Sequence, residues 1–132
     1  MYMYKENRNS DILCITNRKL CREDFITRMR KIAAAHPAAV VVREKELLEK
    51  EYMELAEKIL NICREQETVC ILHSFPEAAL ELGCDSLHLP LPVLMKMEPG
   101  KRQSFRVLGA SCHSVEDAVL AEKLGCTYIT AG

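Results

Sequence analysis

Two cations leave a run of valines two residues apart. In "VVVREKEL" (residues 40–47), Arg43 and Lys45 follow three β-branched residues that suit a buried strand. Strand alternation puts Arg43 and Lys45 on one face and Glu44 on the other. Such a pair can hold an anion, at ~1.5–3 kcal/mol per charge-assisted bond. Two such bonds correspond to weak affinity, on the order of millimolar to tens of micromolar. The same cations can instead pair with Glu44, Glu46 or Glu49, or simply end a strand in solvent.

Histidines and serines supply the other candidates. His73 and Ser74 follow one apolar run, His88 lies within a second, and Ser111 and His113 follow a third. Three histidines at strand ends can act as acid–base groups or metal ligands, or serve as hydrogen-bonded wall and capping residues. No carboxylate or cysteine accompanies them at ligand spacing, which argues against a metal site. Ser74 and Ser114 each have an acid three residues on, Glu77 and Asp117, the spacing of a helix capping box. Ser111 has no capping duty of that kind and is the stronger candidate for chemistry.

The elements that must position these residues alternate regularly. Strands are expected over 11–16, 39–44, 68–72 and 105–110. Helical spacing of apolar residues predicts helices over 22–36, closed by Pro37, and 51–66. A unit then recurs: "HSFPEAALELGCDSLHL" (73–89) and "HSVEDAVLAEKLGCTYITA" (113–131). Each opens as a helix, stops at "LGC", where Gly83 or Gly125 suits a left-handed position, and continues into a strand. The segment between reads as a short helix or an irregular connection. About six strands and five helices in alternation mean a parallel sheet covered by helices, a single α/β domain over residues 1–132. An open doubly wound sheet and part of a (β/α)8 barrel both fit; no G-x-G-x-x-G follows the first strand.

Composition excludes several partners. The net charge of −1 carries no basic block, against nucleic acid or an anionic membrane as main partner. No apolar run approaches the ~20 residues of a membrane span, and the polar start carries no signal core. Seven cysteines without a C-x-x-C pair read as small buried hydrophobes in a reducing cytoplasm.

"VVVREKEL", "GCDSLHLP" and "VLGASCHSVEDAVLAEKLGCTYITAG", in this order, resemble the thiamine phosphate synthase superfamily, which includes the TenI-type thiazole tautomerases. The resemblance runs from about Ile12 to Gly132. It implies the (β/α)8 TIM-barrel family, a site at the barrel mouth, and phosphorylated thiamine precursors as ligands. The implied reaction couples hydroxymethylpyrimidine diphosphate to thiazole phosphate with release of pyrophosphate; the alternative is isomerisation of a thiazole carboxylate phosphate without a metal.

Within the resemblance, Arg43 and Lys45 match the family's Gln-x-Arg-x-Lys strand motif, with Val41 in place of the glutamine. Ser111 matches its post-strand serine, giving Ser111 and His73 as catalytic candidates and Arg43, Lys45 and His88 as substrate-binding candidates. The synthase reaction uses Mg²⁺ held by two aspartates, whose positions are Ser74 and Val93 here, and Leu89-Pro90 is closer to the tautomerase branch. Family members continue for two more βα units beyond Gly132, so the resemblance implies a barrel shortened after its sixth strand. Such a partial barrel is expected to be inactive as a synthase and to self-associate through open sheet edges.

Overall fold

A computed structural model describes residues 11–132. The chain divides into two compact units, one running to Leu72 and the other spanning His73–Gly132.

The first unit starts with β1 (Leu13–Ile15), a 3₁₀ turn (Arg18–Leu20) and α1 (Phe25–Ala34). It continues through β2 (Ala39–Val42), α2 (Glu49–Glu65) and β3 (Cys70–His73), whose last residue opens the second unit. The strands pair in parallel, Cys14 opposite Val40 and Val41 opposite Ile71. Every residue of β2 is buried, as a parallel strand covered on both faces requires. Asp24 starts α1, its carboxylate accepting the Thr27 N–H at 3.0 Å. Helix α2 turns its apolar stripe inward, burying Tyr52, Ala56, Ile59 and Cys63. The Tyr52 hydroxyl donates to the Val42 carbonyl, pinning this helix to the end of β2.

The second unit holds α3 (Pro76–Glu81), β4 (Ser86–Pro90), α4 (Leu91–Lys96), α5 (Pro99–Gln103), β5 (Val107–Cys112), α6 (Val115–Lys123) and β6 (Tyr128–Ala131). Strands β4, β5 and β6 are parallel and adjacent in chain order. Leu87, Leu89, Leu108 and Ala110 are buried and form one face of the β4–β5 pair. Alternation gives Ser86, His88, Gly109 and Ser111 to the opposite face. Gly83 (φ 69°) and Gly125 (φ 98°) end α3 and α6 in the left-handed conformation read from "LGC".

Three details depart from expectation. The connection expected to hold one short helix or none holds α4 and α5, so six α-helices are present among the described residues where five were expected. Met97 is extended between them and Pro99 restarts the helix at its first turn. Strand β2 ends at Val42 and not at Glu44, because Glu44 is drawn into a hydrogen-bonded knot. Ser74 does not cap α3: Phe75 is the N-cap, and Ser74 sits at φ 77° with its hydroxyl against the His73 ring. Ser114 does cap α6, accepting the Asp117 N–H at 3.0 Å.

Of the seven cysteines expected to be buried, Cys63, Cys70, Cys84 and Cys112 are, whereas Cys14, Cys21 and Cys126 are half-buried. Burial pushes the thiols of Cys14 and Cys112 up, and that of Cys126 to about 11, so they resist forming thiolates. No helix among the described residues is long and apolar enough to cross a membrane.

Candidate active site

In the second unit the strands bring three of the sequence candidates together. His73 closes β3 and His88 lies inside β4; each is 4 % exposed. Their rings stack, with centroids 5.1 Å apart and planes 22° from parallel. Ser111 follows on β5, and its Oγ lies 2.9 Å from His88 Nε2. The His73 Nδ1 is held by the Ser74 hydroxyl. His113, by contrast, is exposed and turns its Nδ1 toward the Gly132 carbonyl at 3.2 Å.

Tyr128, on β6, is the residue that sequence reasoning missed. Its hydroxyl lies 2.7 Å from His88 Nδ1, so both ring nitrogens of His88 are engaged. Burial pushes the Tyr128 hydroxyl well above the usual phenol range, with a smaller contribution from Cys126, and the group stays protonated at neutral pH. The available signal was Gly109. A glycine inside a strand pattern marks a close approach, and here the Tyr128 ring fills the space its side chain would take.

In the first unit Arg43 and Lys45 lie just beyond β2, both exposed, while Glu44 between them is 2 % exposed. Alternation therefore persists past the end of the strand. Glu44 accepts a hydrogen bond from the Thr16 hydroxyl at 2.7 Å and from the Arg18 N–H at 3.1 Å. The Arg18 guanidinium stands 3.6 Å from Glu44 and 3.0 Å from Glu46. Two of the three acids considered as partners for the two cations, Glu44 and Glu46, thus pair with Arg18. Among the described residues neither Arg43 nor Lys45 has an ion-pair partner.

Mg²⁺ is held by hard oxygen donors, carboxylates first. At the two positions where the resemblance expects aspartates, Val93 is a hydrocarbon on α4 and the Ser74 hydroxyl is spent on His73. Among the described residues no group of three or more His, Cys, Asp or Glu is placed to hold a metal ion. These residues do not fit Mg²⁺.

The sequence model of the thiamine monophosphate synthase family matches residues 12–132. The chain belongs to that family. Among similar proteins, the putative thiamine-phosphate synthase 2 of Aquifex aeolicus is 29 % identical over 119 residues, 90 % of this chain and 64 % of the relative. The thiamine-phosphate synthase of Caldanaerobacter subterraneus subsp. tengcongensis is 30 % identical over 128 residues, 92 % of this chain and 58 % of the relative. The solved thiamine phosphate pyrophosphorylase of Pyrococcus furiosus superposes with a TM-score of 0.75 at 25 % identity, covering 91 % of this chain and 58 % of its own. The fold class is therefore that of the family, α/β with six parallel strands and intervening helices. The chain spans about three-fifths of the length of these relatives.

Proposed function

We propose that the chain acts in thiamine biosynthesis, carrying anion-recognising parts of a thiamine phosphate synthase-type transferase. The reaction class is attack of a thiazole phosphate nitrogen on hydroxymethylpyrimidine diphosphate, with pyrophosphate leaving. The observation that carries this reading is the pair Arg43 and Lys45. Both are exposed past a fully buried strand, with the nearby acids Glu44 and Glu46 engaged by Arg18. Two cations without a carboxylate partner among the described residues are available to an anionic oxygen. In the second unit Ser111, with His88 behind it, offers a hydroxyl to the same class of ligand. His73 acts through its stack on His88.

The second reading is isomerisation of a phosphorylated thiazole carboxylate. The donor set favours it, because Ser74 and Val93 cannot supply the oxygens that Mg²⁺-assisted pyrophosphate departure demands. For assembly we propose self-association of copies of this chain through sheet edges, and for location the cytoplasm, where such precursors are made.

Calorimetric titration with pyrophosphate tests the anion site. Replacing Arg43 and Lys45 together by Ala is expected to abolish binding while unfolding is unchanged within about 0.5 kcal/mol, the range for surface substitutions. Binding that persists unaltered in the double variant refutes the reading. Affinity independent of added Mg²⁺ favours the isomerase branch; a strong requirement for Mg²⁺ favours the transferase.

A further inference from the structure

Register aligns His88 of β4 with Gly109 of β5, and Gly109 with Tyr128 of β6. The outer two residues of that row are two strands apart, roughly 9.5 Å by ordinary strand spacing. They nevertheless meet at 2.7 Å, because the middle position has no side chain. A Cβ on Gly109 would overlap Cζ, Cε1 and the hydroxyl oxygen of Tyr128. The tyrosine therefore lies across Gly109 to reach the histidine.

The hydrogen-bond donors then decide the histidine tautomer. A neutral imidazole has one N–H donor and one acceptor nitrogen. In one arrangement the Tyr128 O–H donates to Nδ1 and Nε2–H donates to Ser111 Oγ. Every donor of His88 and Tyr128 is then used, and the Ser111 proton is free to point at solvent or ligand from its half-buried position. In the other, Ser111 donates to Nε2 and Nδ1–H donates to Tyr128. The tyrosine proton then has no acceptor among the described residues, which leaves a part-buried donor unsatisfied. A doubly protonated ring strands the same proton.

We propose that Tyr128 is a positioning residue: by donating across Gly109 it fixes His88 as the Nε2–H tautomer, leaving Ser111 a hydrogen-bond donor to an anionic oxygen and not a nucleophile with a histidine base. The tautomer stands on geometry alone; the anion rests on the function proposed above.

The protein has four histidines, so long-range ¹H–¹⁵N NMR of the imidazoles resolves them, with His88→Gln assigning the signals. The unsubstituted chain should show His88 with Nε2 protonated and Nδ1 bare. Tyr128→Phe should lose that single-tautomer pattern, and Ser111→Ala should keep it. A His88 protonated on Nδ1 in the unsubstituted chain overturns the proposal, and this readout needs no variant to fold. So does an unchanged tautomer in a Tyr128→Phe protein whose amide spectrum is folded. Inorganic pyrophosphate is the anion probe. Weaker binding in Ser111→Ala supports the donor role. Equal binding with the tautomer intact overturns the target of the Ser111 proton while leaving the positioning by Tyr128 standing.

Discussion

Removing the Glu44 carboxylate should cost this protein more than any other single charge change in its first unit. The group is 2 % exposed and accepts from the Thr16 hydroxyl and from the Arg18 N–H. Thr16 Oγ1 in turn accepts the Arg43 N–H at 3.0 Å, so the knot ties the chain after β1 to the chain after β2. Hydrogen bonds to a charged group contribute about 1.5–3 kcal/mol each, giving about 3–6 kcal/mol for two. Arg18 is half-buried, so water recovers part of its share when the acid is gone. Glu44→Ala should therefore lose about 3–4 kcal/mol, and Glu44→Gln, which keeps an acceptor oxygen, about 1–2 kcal/mol. Urea unfolding at neutral pH measures both, with the slope of the transition unchanged. A double-mutant cycle with Thr16→Val should return at least about 1 kcal/mol of coupling, since the two side chains touch. A loss under about 1 kcal/mol in Glu44→Ala refutes the reasoning, because the knot is then only a solvated surface contact.

Two further predictions concern the second unit. Gly109→Ala should push the Tyr128 ring off its seat, costing about 1–3 kcal/mol by the usual penalty of overpacking, read by urea unfolding. Stability should also depend on Tyr128 at alkaline pH. Its folded hydroxyl titrates above its unfolded value, so its contribution is complete below pH about 10 and is lost as pH rises through the higher folded value. Urea midpoints should fall across that range in the unsubstituted chain and fall less steeply in Tyr128→Phe; parallel slopes refute the assignment.

The elements were legible wherever local chemistry decides them. Helix α2 repeats its apolar residues at helical spacing, and Gly83 and Gly125 stand where only a residue tolerant of positive φ ends a helix easily. The twin serines show where local reading stops. Ser74 and Ser114 have the same spacing to an acid, yet Pro76 moves the start of α3 and leaves Ser74 to bond the His73 ring. The candidates His73, His88 and Ser111 were expected together near strand ends, but which of them touch depends on register, which alternation does not supply. Tyr128 lies in the last strand and carries no local signal of its own. Its role appears only once Gly109 is known to stand between it and His88. The pair Arg43 and Lys45 posed the opposite problem. The sequence allowed the intervening Glu44 to neutralise them, and it was Arg18, 26 residues away, that took the acid.

The two faces of the β4–β5 pair make different demands on the chain. On one face Leu87, Leu89, Leu108 and Ala110 are buried by simple transfer from water, and hydrocarbons of similar volume would serve as well. On the other, two imidazoles are stacked out of water and a phenol and two hydroxyls are arranged to satisfy them. Each such bond returns only about 1 kcal/mol net, while a single unmet group costs ~1–3 kcal/mol. A layer of that kind is stabilising only when complete, and an apolar layer would fold at less risk. Gly109 sharpens the point, since an empty position in mid-strand weakens the sheet locally and has no packing advantage beyond admitting Tyr128. Stability therefore explains the leucine face but not the histidine face. What the histidine face gains is a ring held at both nitrogens and a serine whose proton is left to face outward, an arrangement whose use lies in binding rather than in folding.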